Sequence, residues 1–327
     1  MNIAFVSFQF SDTSYDESNT LGKDASNGGK ELKMKQYYIL FNPLAGNGEQ
    51  TKLMIDVLQL TLGEESIESV IDMTHIHSYE RFFSGLPEED EIILCGGDGT
   101  LNHFINETAG IAYKNPILYC ATGTGNDFVK DIRGTSWDDP IPIGQYLKGL
   151  PTVTVNGKSY RFLNGVGYGI DGYCCEVGDR LKATTDKPVN YTSIAAKGLL
   201  FHYKPTAATV TVDGTVHRYQ KVWIAPTMHG RFYGGGMMPT PEQSRTAEPR
   251  QLSVMVLHDS GKLKTLMMFP TIFKGEHIKY KKYIDVFSGK RITVEFDRPT
   301  ALQIDGETIL DVTSYSAEAF VREEVCL

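Results

Sequence analysis

Apolar and polar positions in the first half of the chain follow a pattern that predicts strands separated by helices. Four short apolar runs, at residues 37–41, 69–73, 92–95 and 117–121, are typical of buried strands. Each is followed by a polar or glycine-rich turn and then by a segment of helical period. Four such units predict an open parallel sheet with helices on both faces, in an α/β domain that covers residues 34–140.

Two of the predicted helices carry specific expectations. The second helix should run from residue 75 to 86, with Thr74 at its N-cap position. The first should run from residue 49 to 62, with an apolar side formed by Leu53, Val57, Leu58 and Leu60.

The second half of the chain consists of short, alternating, β-branched segments. Asn156-Gly157 and Asp213-Gly214 predict hairpin turns between them, and two helices are predicted at residues 192–201 and 262–274. The pattern predicts a mainly antiparallel, β-sandwich-like domain over residues 141–310, with a cleft between the two domains. The predicted strands are residues 152–155, 159–164, 208–212, 217–225, 252–257, 291–296 and 301–304.

Residues 1–33 are expected to form a disordered extension. They are rich in Ser, Asp, Asn and Gly, and Met34 stands directly before the first predicted strand, so Met34 is interpreted as the biological start. The apolar residues 3–10 lack a basic leader and are not interpreted as a signal peptide.

The composition is that expected of an acidic, soluble, two-domain protein. The 327 residues are 41% hydrophobic and 22% charged, and the net charge of −8 disfavours nucleic acid as a partner. Five cysteines without a CxxC pair indicate a reducing compartment, and they indicate neither a zinc site nor a disulfide framework. No apolar run is long enough to span a bilayer, so a cytoplasmic location is expected.

The most informative stretch is EIILCGGDGTLNHFIN at residues 91–106, where a strand, a glycine turn and a helix follow one another. Its three glycines allow backbone N–H groups to approach a ligand closely, and amides at a helix N-terminus favour an anion. Asp98 would repel a bare phosphate, so its presence suggests a metal or a polarised hydroxyl beside the phosphate. The alternative is a glycine-rich loop that only turns the chain.

Three other loops are candidates for the same site, and each also has a purely structural interpretation. Residues 42–48 form either a simple Asn-Pro turn or a ligand-binding loop. In residues 123–127, Asn126 or Asp127 either caps the next helix or helps to bind phosphate and orient the acceptor. Asp305-Gly306-Glu307 is either a hairpin turn or a pair of carboxylates for Mg²⁺ placement and proton removal.

Two further stretches are notable for their composition. Residues 164–171, NGVGYGID, predict a strand that passes close to another backbone. Residues 263–283 combine large apolar side chains with lysines. They form either a solvated lysine face over core residues or a contact with an anionic membrane surface.

Taken together, four motifs in order resemble the diacylglycerol kinase catalytic-domain family, which includes soluble bacterial lipid kinases and the sphingosine and ceramide kinases. The resemblance extends from Met34 to the end of the chain. It implies an α/β nucleotide-binding domain, a β-sandwich-like lipid-substrate domain, ATP in the cleft, and a tail at residues 311–327 that returns to the first domain. The motifs are Asn42-Pro43-x-x-Gly46, Gly96-Gly97-Asp98-Gly99-Thr100, Gly123-Thr124-Gly125-Asn126-Asp127-Phe128 and Asp305-Gly306-Glu307, with Gly234-Gly235-Gly236-Met237 similar to the family's glycine run.

The resemblance implies an ATP- and Mg²⁺-dependent kinase that phosphorylates a lipid hydroxyl, with diacylglycerol as the first candidate. Glu307, helped by Asp305, would be the general base, although Asp98 could also take that role. Asp98 and Asp127 would hold the metal. Peripheral, transient contact with a membrane is implied, and a homodimer is allowed. The residues implied to contact ATP are Asn42, Pro43, Leu44, Ala45, Gly46, Thr74, Gly97, Asp98, Gly99, Thr100, Leu101, Asn102, Gly123, Thr124, Asn126 and Asp127.

The chain departs from the family pattern at two places. His103 stands where the family usually has Glu, and residues 246–251 contain only Glu248 where soluble bacterial members carry an acidic turn that holds a structural Mg²⁺. Two alternative functions therefore stay open. One is a nicotinamide-dinucleotide kinase, which shares the GGDGT turn, and the other is a non-catalytic lipid or nucleotide sensor.

Overall fold

A computed structural model describes residues 35–43, 48–134, 140–185 and 189–320. The predicted extension at residues 1–33, the proposed start at Met34, and Leu44, Ala45 and Gly46 all lie outside these ranges.

The first domain is built on a five-stranded sheet. Its first four strands run parallel, as the sequence predicts, and the fifth is antiparallel to the fourth at one edge. The order across the sheet is β2-β1-β3-β4-β5. The strands are β1 (Tyr37–Phe41), β2 (Ile67–Asp72), β3 (Glu91–Gly96), β4 (Ile117–Ala121) and β5 (Ile141–Pro142).

Helices cover both faces of this sheet because successive strand residues point to opposite sides. Ile39 and Ile93 are fully or almost fully buried in the cluster that includes α1, while their neighbours Leu40 and Leu94 are buried in the cluster that includes α2, α3 and α4. The helices are α1 (Glu49–Leu62), α2 (Tyr79–Ser84), α3 (Asp98–Glu107), α4 (Asp127–Arg133) and the short α5 (Gly144–Leu147).

The buried side of α1 differs from the predicted one. Thr51, Ile55 and Leu58 are its buried residues, and only Leu58 belongs to the predicted set. The other three predicted residues are exposed, because α1 turns Ile55 and Leu58 towards the sheet. Their exposed fractions are 65% for Leu53, 43% for Val57 and 86% for Leu60.

The prediction that Thr74 caps the second helix is wrong. Thr74 lies in a short 3₁₀ turn, Met73–His75, and both its N–H and its hydroxyl donate to the Asp72 carboxylate. The helix begins later, at Tyr79, where the Ser78 hydroxyl accepts a hydrogen bond from the N–H of Arg81 and caps it.

The second domain is a ten-stranded antiparallel sheet that closes on itself, because β14 pairs with β9 as well as with β8. This confirms the predicted antiparallel class. The hairpin turns at Asn156-Gly157 and Asp213-Gly214 have positive φ at both residues, as two-residue hairpins require. The strands are β6 (Thr152–Val155), β7 (Lys158–Arg161), β8 (Gly165–Tyr168), β9 (Thr206–Val212), β10 (Thr215–Ile224), β11 (Thr227–Met228), β12 (Leu252–His258), β13 (Ile284–Gly289), β14 (Arg291–Ile304) and β15 (Glu307–Glu318).

Within the described ranges, three helices share a buried cluster with strands of this sheet, and the sequence pattern predicted two of them. The helices are α6 (Ile170–Lys182), α7 (Tyr191–Lys197) and α8 (Lys262–Met268). The turns Gly198–His202 and Phe269–Lys274 continue α7 and α8. Helix α6 was not predicted. Its Gly172 lies so close to β14 that a Cβ there would be 1.9 Å from the Ala301 carbonyl oxygen. Within the described ranges, no helix combines the length and the hydropathy needed to cross a bilayer.

Two predicted domain limits change in the structure. Ile141, Ile143 and Leu150 pack in the core of the first domain, so that domain extends beyond the predicted limit at residue 140. At the other end, β15 runs without interruption to Glu318 and pairs with β6 and β14. Residues 311–318 therefore belong to the second sheet rather than to a tail that returns to the first domain, and residues 321–327 lie outside the described ranges.

Candidate active site

The carboxyl ends of the first four strands lie level at one edge of the first sheet. Phe41 of β1 is in register with Asp72 of β2 and Cys95 of β3, and Gly96 of β3 is in register with Ala121 of β4. The turns that follow these strands therefore leave the sheet side by side. The strand order reverses between β1 and β3, which is where open α/β sheets bind ligands.

The two glycine turns after β3 and β4 touch each other. A Cβ at Gly123 would lie 2.5 Å from the Cα of Gly97 and 2.9 Å from the Asn126 side-chain oxygen. A Cβ does not fit at Gly123, so this position requires glycine for the close approach of the two turns. Helix α3 begins at Asp98, directly after the first turn, and no side chain of a described residue caps its N-terminus, where backbone N–H groups favour an anion.

The Asp98 carboxylate joins these turns to the second domain. Its Oδ2 accepts a 2.9 Å hydrogen bond from the N–H of Asp127, and its Oδ1 accepts bonds of 3.0 Å from the N–H of Phe128 and 3.1 Å from the side-chain amide of Asn164. Asp98 thus caps α4 from outside that helix and holds Asn164 of the other domain. A carboxylate with three donors is fixed in position.

Asp127 is buried beside Asp98 and carries an unsatisfied oxygen. Its Oδ2 accepts a 2.7 Å bond from the N–H of Gly235, whereas its Oδ1 has no partner among the described residues. Burial, and then the charge of Asp98, raise the pKa of Asp127 to about 7. A cation beside Oδ1 would offset both the burial and the charge of Asp98, and it would therefore lower the pKa of Asp127.

Mg²⁺ fits this arrangement, because the ion commonly binds one or two carboxylates together with substrate phosphates. Among the described residues there is no group of three His, Cys, Asp or Glu side chains that could hold a metal by themselves. The protein would therefore supply Asp127, with Asp98 behind it, and the nucleotide would supply the remaining oxygens.

Asp305 lies in the two-residue hairpin turn that joins β14 to β15, and Glu307 is the first residue of β15. Asp305 has φ +47° and Gly306 has φ +102°, so the structural interpretation of this motif as a hairpin turn is correct. Asp305 Oδ2 accepts bonds from the N–H of Leu163 (2.5 Å) and the amide of Asn102 (2.8 Å). Burial raises the pKa of Asp305, and its hydrogen-bond donors oppose that rise.

The other oxygen of Asp305 is also occupied. Oδ1 accepts bonds from the N–H groups of Asn164 (2.8 Å) and Gly165 (2.9 Å). All four donors hold the carboxylate in place, so Asp305 fastens the β14–β15 hairpin to α3 and to the chain before β8. This is the geometry of a positioning residue rather than that of a group that exchanges protons.

Glu307 has the opposite environment. It is exposed, and its carboxylate makes no hydrogen bond or ion pair to a described residue. A Cβ at Gly99 would lie 4.0 Å from Glu307 Oε1, so the carboxylate stands directly over the GGDGT turn. Among the predicted catalytic residues, Glu307 is the one that is free to meet a substrate.

Several residues that the resemblance assigns to ATP use their side chains elsewhere. Leu101 is fully buried in the core of the first domain, and Thr100 is packed against Gly96. The side-chain amide of Asn102 donates a hydrogen bond to Asp305. Only their backbones can face the turn. Thr74 is exposed after β2 and bound to Asp72.

Other predicted nucleotide residues remain at the edge where the turns meet. Thr124 is exposed in the second glycine turn, and Asn42 and Pro43 follow β1 at the same edge of the sheet. Thr51, in the first turn of α1, has its hydroxyl 2.8 Å from that of Thr122, which brings the start of α1 beside the second glycine turn.

A buried ion pair behind the turns was not found from the sequence. Arg245 Nε lies 2.6 Å from the Asp131 carboxylate, and both side chains are at most 5% exposed. The same guanidinium donates to the Asn164 side-chain oxygen (3.1 Å), and Asn164 in turn donates to Asp98. Asp131 also accepts a 2.7 Å bond from Arg231. Asp131 is four residues after Asp127, and both therefore lie on one face of α4. This spacing is the sequence signal that could have indicated the Arg245–Asp131 ion pair.

Comparison with known proteins agrees with this geometry. Residues 36–152 match the family described as the diacylglycerol kinase catalytic domain, and residues 164–318 match the YegS C-terminal NAD kinase beta sandwich-like domain. The chain belongs to the diacylglycerol kinase catalytic-domain family. It is a diacylglycerol kinase-like lipid kinase, and ATP is the phosphate donor that this family implies.

Relatives with this activity in their names cover most of the chain. Diacylglycerol kinase of Mycobacterium tuberculosis is 23% identical over 78% of this chain and 84% of its own length. Diacylglycerol kinase of Bacillus subtilis is 24% identical over 84% of this chain and 90% of its own. The crystal structure of a diacylglycerol kinase from Bacillus anthracis str. Sterne has a TM-score of 0.52 and 18% identity, over 89% of this chain and 98% of that one. The structural likeness shows that the fold is shared.

Proposed function

We propose that this lipid kinase transfers the γ-phosphoryl group of ATP to the primary hydroxyl of diacylglycerol, giving phosphatidic acid for phospholipid metabolism. The observation that carries the proposal is the convergence of two glycine turns and one free carboxylate, Glu307, at the edge of the first sheet. Phosphoryl transfer depends mainly on placement and on neutralisation of charge, and this arrangement offers both.

Backbone amides would hold the phosphates. The turn that contains Gly97 and Gly99 and the turn that contains Gly123 present N–H groups without intervening side chains, and the N-terminus of α3 adds a favourable dipole. Asp127, supported by Asp98, would hold Mg²⁺, which when bound neutralises part of the phosphate charge. Asp98 would keep α4 and Asn164 in register with the turn.

Glu307 would act as the general base. As the lipid oxygen attacks the γ-phosphorus and ADP leaves, the hydroxyl proton moves to the Glu307 carboxylate. Asp305 would not exchange protons, because its four hydrogen bonds are already made. It would fix the hairpin so that Glu307 stays over Gly99.

The acceptor would be taken from a membrane by a cytoplasmic protein that binds the bilayer peripherally and transiently. The lysine-rich segment between residues 262 and 282 supports such contact, because it contains one acidic residue in a chain of net charge −8. A homodimer, which the sequence allowed, remains a proposal that sedimentation velocity of the full chain would decide.

The test compares the wild-type chain with Glu307→Gln, using ATP labelled at the γ-phosphate. Because Glu307 is exposed and has no hydrogen-bond or ion-pair partner among the described residues, the variant should fold normally. The proteins are incubated with total cellular lipid, with diacylglycerol in mixed micelles, or with NAD. Labelled phosphatidic acid should appear with wild type, and its rate of formation should fall roughly 10²- to 10⁴-fold with Glu307→Gln.

Each alternative function gives a different result. Label in NADP but in no lipid would identify a nicotinamide-dinucleotide kinase. Nucleotide binding without any labelled product would identify a non-catalytic sensor. Label in a lipid other than phosphatidic acid would keep the lipid kinase and replace the acceptor.

A further inference from the structure

A buried arginine, Arg245, joins the second domain to helix α4 of the first. Its side chain is 4% exposed and comes from the loop between β11 and β12. Its Nε lies 2.6 Å from Asp131 Oδ2, and its guanidinium carbon lies 4.9 Å from the centroid of the Phe128 ring, both on α4. A Cβ at Gly230 would lie 2.0 Å from Arg245 Nη2 and 2.8 Å from Asp131 Oδ2, so the backbone closes over this ion pair. The guanidinium is therefore held in one place.

The remaining donors of Arg245 bind two residues that hold the fixed carboxylates Asp98 and Asp305. Nη2 donates a 3.1 Å bond to Asn164 Oδ1, and the Asn164 amide donates to Asp98. Nη1 donates a 3.0 Å bond to the Leu163 carbonyl, and the N–H of Leu163 donates to Asp305. One cation thus lies a single residue away from each carboxylate.

The side-chain amide of Asn164 can take only one orientation between its two neighbours. A guanidinium has donors and no acceptor, so Arg245 must face the amide oxygen, and the ionised Asp98 has acceptors only, so it must face the NH₂ group. A reversed amide would set its oxygen against the Asp98 carboxylate. Arg245 therefore decides which atom of Asn164 points at Asp98.

We propose that Arg245 is a positioning residue for phosphoryl transfer, which keeps Asp98 and Asp305 in one register. It acts through the two neighbouring residues that it binds, Leu163 and Asn164. Arg245 does not touch the nucleotide or the acceptor in this proposal.

The two fixed carboxylates hold the groups to which the proposed function gives chemical roles. Asp98 accepts from the N–H of Asp127, the metal-binding residue, and Asp305 fixes the hairpin that carries Glu307, the general base. These two groups belong to different domains, so loss of the Arg245 contacts would leave both present but misaligned. A misplacement of about 1 Å can lower a rate about 10²-fold. The roles of Asp127 and Glu307 rest on the proposed function, whereas the contacts of Arg245 do not.

The test replaces Arg245 by lysine, which keeps the charge but lacks the planar fork of donors. The assay uses ATP labelled at the γ-phosphate and total cellular lipid. In Arg245→Lys, kcat should fall about 10²-fold while KM for ATP changes less than about threefold, because the glycine turns are untouched. Asn164→Leu should show a similar loss, and the double variant should lose no more than either single variant, as residues that act as a unit do. Losses that multiply, or a wild-type kcat in Arg245→Lys, would overturn the proposal.

The matched control is Arg250→Lys. Arg250 also donates to two backbone carbonyls, those of Lys148 (2.7 Å) and Gly149 (2.6 Å), and pairs with Glu248, but these contacts do not lead to Asp98. Its kcat should equal that of wild type, and an equal loss in both lysine variants would overturn the proposal. Thermal melting checks that the variants are folded.

A second variant decides the question if Arg245→Lys does not fold. Asn164→Asp keeps an oxygen for the guanidinium and removes only the donor to Asp98. It should fold and lose kcat about 10²-fold, because an acceptor would then face the Asp98 carboxylate. An unchanged kcat would overturn the role given to the Asn164 amide and with it the proposal.

Hydrogen exchange separates this proposal from the proposed function, because it requires no turnover. The amides of Asp127 and Phe128, which donate to Asp98, should exchange at least about tenfold faster in Arg245→Lys than in wild type or Arg250→Lys. Unchanged exchange at these amides would overturn the positioning role even if lipid is phosphorylated. A wild-type protein that labels no lipid would refute the proposed function, and faster exchange would then still support the hold of Arg245 on Asp98.

Discussion

Asp305 and Glu307 are two residues apart, but the structure predicts opposite consequences when each is replaced by its amide. Asp305→Asn keeps the shape of the side chain, and asparagine tolerates the positive φ of 47° at this position. The change therefore tests the carboxylate and not the backbone. Glu307→Gln is the matched control on the other side of Gly306.

The expected loss of stability in Asp305→Asn follows from the number of hydrogen-bond donors to the carboxylate. Asp305 accepts two hydrogen bonds at each oxygen, and an amide offers only one oxygen, so two buried donors would face an NH₂ group instead. A buried donor left without an acceptor costs about 1–3 kcal/mol. We therefore expect Asp305→Asn to lower the free energy of unfolding by about 2–6 kcal/mol, towards the lower end because a buried charge is also removed.

The assay combines chemical denaturation with hydrogen exchange. Exchange should become faster at the amides on the side that the NH₂ group occupies, either Leu163 or both Asn164 and Gly165, because these lose their acceptor. In Glu307→Gln the free energy of unfolding should stay within about 0.5 kcal/mol of wild type, as expected for a surface substitution, while lipid phosphorylation falls.

Two results would refute this assignment. One is an Asp305→Asn protein as stable as wild type, with unchanged exchange at these three amides. The other is a Glu307→Gln protein with full turnover. Either would mean that the two carboxylates do not divide positioning and proton transfer between them.

Two further predictions concern one buried carboxyl group and one close backbone contact. Burial raises the pKa of Asp171 from 3.8 to about 6. The folded state therefore binds this proton more tightly than the unfolded state does, and the resulting stabilisation is present below about pH 4 and lost as the pH rises through about 6. Asp171→Asn should therefore remove about 3 kcal/mol of pH dependence from the unfolding free energy, measured by chemical denaturation as a function of pH, and an unchanged pH slope in this variant would contradict the prediction. Gly123→Ala should weaken ATP binding roughly tenfold or more in calorimetry, because its Cβ would displace Gly97, whereas Gly144→Ala, with open space around its Cβ, should bind like wild type. Equal affinities for these two alanine variants would show that the contact between the turns does not matter.

Secondary structure was predictable where local signals were strong. The period of two in the β strands, the two-residue hairpin turns and the helix at Glu49–Leu62 all follow from side-chain pattern and turn chemistry. One prediction failed at the start of the second helix, where two hydroxyl side chains four residues apart could each act as the cap. The Ser78 cap replaced Thr74 as the start of the second helix, because the Thr74 hydroxyl was already bound to Asp72.

The orientation of α1 was set by tertiary packing, which the sequence pattern did not contain. Its sequence contains apolar residues around much of the helix, so period alone could not decide which of them face the sheet. In the folded protein Ile55 and Leu58 pack against the sheet, and Leu53 and Leu60 are exposed to solvent. Helix α6 was missed because glycines at its start read as a strand, and only close packing on β14 explains them.

The sequence by itself determined the alternation of strands and helices, the antiparallel second half, and the family, because these depend on short-range pattern and on motifs in fixed order. Only the tertiary structure separated the roles of the acidic residues. Three donors fix Asp98 and four fix Asp305, while Glu307, above Gly99, has no bonded partner in the part of the chain that the structure describes. Those donors come from positions 29 to 203 residues away along the chain. No local pattern contains that information, because a carboxylate's role depends on which groups the fold brings to it.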